Sequence, residues 1–158
     1  MSCRELFIRG DFPSTNTLLD QQRADGFLAG RRHGNRQWIG PPPERSYAAI
    51  AKRIRETTWA AARQAGLQRF DRAELFFVLF DSGKTDPDAW MLAAKLVLDG
   101  LADAKVLADG DRFSVVRTGG TTAPVEAAVV VPPWVGPQRW RCMAAGMLVL
   151  LREVPDGL

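Results

Sequence analysis

Apolar and polar positions alternate near the start of the chain, where Arg4-Glu5-Leu6-Phe7-Ile8-Arg9 reads as a first β-strand closed by Gly10, Asp11 and Pro13. From Asn16 to Pro43 the pattern is lost, and residues 17–43 read as a long basic loop carrying Arg23, Arg31, Arg32, His33 and Arg36 ahead of a triple-proline stop. Helical spacing then sets in from Glu44 to Ala65. Tyr47, Ile50, Ile54, Ala61 and Ala65 fall near one face, Lys52, Arg55, Glu56 and Arg63 on others, and Gly66 stands as the C-terminal cap. The unbroken apolar run Glu74–Phe80 has the length and aromatic content of a strand buried on both faces. A second helix is predicted from about Pro87 to Ala104, with Asp86 as N-cap and Pro87 in the first helical position. After the turn Asp109-Gly110-Asp111, three runs read as strands, Arg112–Arg117, Val125–Val131 and Met147–Val154, separated by Gly- and Pro-rich links. This order predicts an α+β fold, a mixed β-sheet packed by two main helices, with residues 1–158 as one domain.

Composition narrows the chemistry. No apolar stretch approaches the roughly 20 residues of a membrane span, and Met1–Leu6 lacks the apolar core of a secretory leader. A soluble, cytoplasmic protein without a membrane partner is expected. Two cysteines, Cys3 and Cys142, and the one histidine, His33, cannot supply a structural zinc site, and they argue against Cys-His and Ser-His-Asp hydrolases. Any metal would therefore be held by oxygen. The net charge of +3 is only mildly basic, so local clustering of arginine and lysine matters more than the sum.

The carboxylates that flank the second helix are the strongest chemical signal. Asp86 and Asp88 stand at its start, and Asp109 and Asp111 in the turn beyond it. Closely spaced carboxylates are the ligands Mg²⁺ prefers, and a cation offsets their mutual repulsion. Two such ions about 3.5–4 Å apart activate water and stabilise a leaving 3′-oxygen in phosphodiester cleavage. At about 100° per residue, Asp88, Leu92, Lys95 and Asp99 share one stripe of the helix, while Ala93, Val97, Gly100, Leu101 and Ala104 lie opposite. Lys95 is placed to contact a scissile phosphate, with Asp99 holding it through an i,i+4 ion pair. Singly, each feature has an ordinary counterpart: Asp-Pro is common at helix starts and Asp-Gly-Asp is a common turn. In combination they point to a nuclease site in which the two acidic pairs meet.

The segment Thr85–Asp111, TDPDAWMLAAKLVLDGLADAKVLADGD, resembles the core motif of RusA-like Holliday junction resolvases of phage and prophage type. The likeness is carried by Asp86, Pro87, Asp88, Lys95, Asp99, Gly100, Leu101, Asp103, Ala104, Val106, Leu107 and Asp109, and more loosely by Phe12-Pro13-Ser14-Thr15-Asn16 and Leu148–Val154. It implies a homodimeric, Mg²⁺-dependent (or Mn²⁺-dependent) endonuclease that nicks four-way DNA junctions in recombination and repair. Asp86 and Asp88 would be metal ligands, Lys95 the catalytic lysine, and Asp109 or Asp111 a third ligand. The chain departs from the family pattern at Ala89, where the motif has Asn, and at Gly110, where it has an acid. A member that binds branched DNA without cutting it is the alternative. Residues 118–146 have no counterpart and are read as an insertion.

A DNA surface is expected from Arg31, Arg32 and Arg36 in the loop, Lys52 and Arg55 on the first helix, and Lys84 beside the acidic motif. Trp38 is a candidate for stacking on unpaired bases. His33 reads as a plain loop residue.

Overall fold

The computed structural model describes residues 3–23, 46–81, 86–108, 115–136 and 142–155. In chain order the elements are β1 (Arg4–Arg9), α1 (residues 15–23), α2 (Tyr47–Ala65), β2 (Ala73–Asp81), α3 (Trp90–Asp103), β3 (Val115–Pro124), a short 3₁₀ turn (Pro133–Val135) and β4 (Gly146–Glu153). The mixed α+β architecture expected from the sequence is present.

Among the described residues, four strands form one sheet in the order β1-β4-β2-β3. β4 is antiparallel to both neighbours, with Val149 opposite Leu6 on one side and Phe77 on the other. β2 and β3 are parallel, and α3 supplies the crossover that parallel neighbours require. The continuous apolar run of β2 follows from burial on two faces. Leu75, Phe77 and Leu79 meet Leu18, Ile54, Ala93, Val97 and Leu101 on the helix side. Val78 and Phe80, with Leu148 and Leu150, form a second cluster covered by Ala123, Val129 and Val131.

Gly100 marks the closest approach of α2 to α3. A Cβ there would lie 2.6 Å from Thr58 Cβ and 2.8 Å from the Arg55 carbonyl oxygen. α2 ends as the sequence predicts, with Gly66 in the left-handed region (φ 65°) and its N–H bonded to the carbonyls of Ala62 and Arg63. Its buried ridge is Ile54, Thr58 and Ala62, whereas Ala65 is exposed, so the apolar face is rotated from the one the spacing suggests.

Three expectations are corrected. Residues 15–23 are helical, although 17–23 read as the start of the long loop: the Ser14 hydroxyl accepts from the Thr17 N–H (3.2 Å) as an N-cap, and Leu18 is fully buried. Residues Val125–Val131 are not a strand. The chain turns at Glu126, which has φ 72°, and Val129 and Val131 lie as a cover over the second face of the sheet. The strand is instead VVRTGGTTAP, so residues 118–124 belong to the sheet. Thirdly, α3 begins at Trp90, and residues 87–89 form a turn before it, with Asp86 at its entrance. Among the described residues no helix is long and apolar enough to cross a membrane.

Candidate metal centre and nucleic-acid surface

The turn holding Asp86 and Asp88 is fixed from beneath by Trp90. Its ring stacks on Phe77 (centroids 6.3 Å, interplanar angle 13°), and it fills the space over Gly120, where a Cβ would lie 2.6 Å from the indole. The bare backbone of β3 at Gly120 therefore lets the start of α3 sit down on the sheet. Within the turn, the Ala89 N–H donates to the Asp86 carbonyl (3.0 Å) and the Met91 N–H to the Asp88 carbonyl (3.1 Å). Ala89 points into the core, 2% exposed, so the position where the motif has Asn presents no polar group here. The side chains of Asp86 and Asp88 remain on the surface.

The first turn of α1 is bonded to the first turn of α3. Ala89 occupies the N-cap position of α3 and makes no side-chain bond. The missing acceptor comes from Thr15: its Oγ1 receives the Leu92 N–H (3.3 Å) and lies 3.2 Å from the carbonyl oxygens of Asp88 and Ala89. The Thr15 N–H also donates to the Ala89 carbonyl (3.2 Å). One residue on, Asn16 Nδ2 donates to Asp86 Oδ2 at 3.3 Å. Asp86 is thus an acceptor for a side chain of α1 and not the cap of α3. In the sequence, Thr15 and Asn16 stand out only as part of a family-like turn. Ser14 ahead of Leu18-Leu19 is the signal that a helix starts there.

Lys95 is exposed on α3, and the predicted buried stripe Ala93, Val97, Gly100, Leu101 and Ala104 is buried throughout. The expected Lys95–Asp99 ion pair does not form. Acidic residues at the far end of α3 serve another basic group: Arg55 donates through Nε and Nη2 to Asp103 (3.1 and 3.0 Å), clamping α2 to α3. The hydrogen bonds to Asp103, that residue's charge and, more weakly, the charge of Asp99 hold the Arg55 guanidinium above its ordinary pKa. Arg55, expected on the DNA surface, is exposed, and its guanidinium fork is engaged by Asp103. Lys52 is exposed and lies 3.9 Å from Glu56.

The described residues that flank the two acidic pairs lie at opposite ends of β2. Leu107, just ahead of Asp109, pairs with Phe70, and Val115, just after Asp111, pairs with Ala73, so both flanks sit where β2 begins. Asp86 and Asp88 follow the other end of β2, and the 14-residue α3 between them spans about 21 Å. Asp109 and Asp111 themselves lie outside the described residues, as do Arg31, Arg32, His33, Arg36, Trp38 and Lys84. Among the described residues, no three His, Cys, Asp or Glu side chains form a metal-binding group.

What is present suits a divalent cation in part. Asp86 and Asp88 offer exposed carboxylate oxygens, and Asp86 accepts from a neutral amide, with no Lys or Arg of the described residues in ion-pair range. Oxygen lone pairs thus remain for a hard cation such as Mg²⁺. Compared with known proteins, the chain matches no family model and no characterised relative.

Proposed function

We propose that this protein is a Mg²⁺-dependent, structure-selective endodeoxyribonuclease of RusA-like type that nicks four-way junctions and other branched DNA as a homodimer. The observation that carries this reading is that Asp86 and Asp88 are both exposed in the turn leading into α3, with Lys95 exposed on that helix. In this reading Asp86 and Asp88 hold the cation, and Lys95 contacts the scissile phosphate. A bound Mg²⁺ would supply Lewis-acid polarisation of the phosphate and a more acidic water. Asp109 or Asp111 supplies the third carboxylate in this reading.

A second reading, binding of branched DNA without cleavage, is favoured by the apolar, buried Ala89 and by Gly110 at the family's acidic position. One experiment separates them. Purified protein is incubated with an end-labelled four-way junction and Mg²⁺. Symmetric nicks are expected, and Asp88→Asn should abolish them while sparing or tightening the gel shift, because a ligand is lost and repulsion of phosphate falls. A salt-sensitive shift without nicks supports the second reading, and retained cutting by Asp88→Asn removes Asp88 from the site.

A further inference from the structure

We propose that Asn16 is a positioning residue for the cation site, its side-chain amide setting the orientation in which Asp86 meets the ion. This rests on the reading above that Asp86 ligates a divalent cation. Nδ2 of Asn16 lies 3.3 Å from Asp86 Oδ2, across 70 residues of sequence. The donor is held from both sides. Its neighbour Thr15 is bonded to Asp88, Ala89 and Leu92 around the start of α3. Behind it, the Ser14 and Thr17 hydroxyls are 3.0 Å apart, and Leu18 is fully buried against the sheet. The first turn of α1 therefore cannot shift against Asp86 without breaking these bonds.

The chemistry of the pair suits a cation site better than a lysine or arginine there would. An amide N–H occupies one lone pair of Oδ2 and leaves Oδ1 open. Being neutral, it orients the carboxylate without adding a positive charge that repels the metal. Mg²⁺ demands near-octahedral oxygen geometry, so a carboxylate already aimed loses less on binding. Partners of this outer kind typically change metal affinity or activity by about 10–100-fold. A surface hydrogen bond of this length contributes little to folding by itself, which separates the positioning role from a structural one.

The test uses the full chain with Mn²⁺ as probe, free Mn²⁺ being read by electron paramagnetic resonance, and thermal melts run in parallel. Asn16→Ala should weaken Mn²⁺ binding by about 10-fold and leave the melt in place. In an Asp86→Asn background the same change should do nothing further, because the amide acts through that carboxylate. Equal Mn²⁺ affinity in Asn16→Ala, or an equal further loss in the Asp86→Asn background, overturns the proposal. Wild-type protein that takes up no Mn²⁺ at millimolar levels sinks the metal site and this inference together. Wild-type protein that binds Mn²⁺ and nicks a junction, yet is indifferent to Asn16→Ala, sinks this inference alone.

Discussion

Thr15→Val tests how the candidate site is held together, because valine has nearly the shape of threonine and removes only the hydroxyl. That hydroxyl is the acceptor for the Leu92 N–H at 3.3 Å, one of the amides at a helix start that have no partner within the helix. Losing an N-cap costs typically about 1 kcal/mol, and the long distances at Thr15 argue against a larger figure. For a chain of this size that corresponds to a melting temperature lower by about 2–4 °C. Asp86→Ala should shift stability by less than about 0.5 kcal/mol, since it removes one exposed hydrogen bond. Thermal melts of both variants, with amide hydrogen exchange at Leu92, make the comparison. Faster exchange at Leu92 is expected only in Thr15→Val. Were Asp86 the cap, as the Asp-Pro sequence suggests, the two variants would exchange places. An unchanged melt and unchanged Leu92 protection in Thr15→Val would refute the tertiary cap.

Gly100→Ala should destabilise the protein although alanine is the better helix former: overpacking against Thr58 and the Arg55 carbonyl costs about 1–3 kcal/mol, and propensity returns about 1. A urea titration showing equal or greater stability would mean that α2 and α3 can part further than the 2.6 Å between an added methyl and Thr58 Cβ allows. Burial pushes the Cys3 and Cys142 thiols up, and the charge of Glu5 adds to this, while a backbone hydrogen bond at Leu151 partly offsets it for Cys3. A raised thiol pKa favours the folded state fully below the unfolded value of about 8.5, and that contribution is lost as pH rises through the folded values. Iodoacetamide alkylation of native protein should therefore rise at higher pH than alkylation in urea, and coincident profiles would contradict the burial of both thiols.

The central strand, the second long helix and its buried stripe are legible in the sequence because each is a continuous pattern with one physical cause. β2 is apolar from Leu75 to Phe80 because both faces are covered, and α3 carries Ala93, Val97 and Leu101 on one side because one side meets the sheet. Where sequence and structure part, a tertiary contact outweighs a local preference. The Val125–Val131 run looks more strand-like than Thr118–Thr122, yet the sheet takes the glycine-bearing segment, because Trp90 needs the bare backbone of Gly120 beneath it. Asp86-Pro87 has the grammar of a helix start, yet the cap comes from Thr15, far away in sequence. The acidic residues of the candidate site can be named from spacing alone. The separation of the segments that flank them cannot, since it depends on β2 and β3 being parallel, and this parallel pairing carries the chain to the opposite end of the sheet before β3 begins.

The sheet order also dictates a timetable for synthesis. β4 lies between β1 and β2 and is the last of the four strands to be made. Until the ribosome has released residues Gly146–Glu153, the nascent chain holds β1 with no strand to join, and one edge of the highly apolar β2 unpaired. Sheet closure is then a late event that waits on contacts such as Phe77 with Val149. In the interval that open edge invites chaperones or aggregation, so stalled translation before Gly146 is the stage at which this protein is most exposed to misassembly.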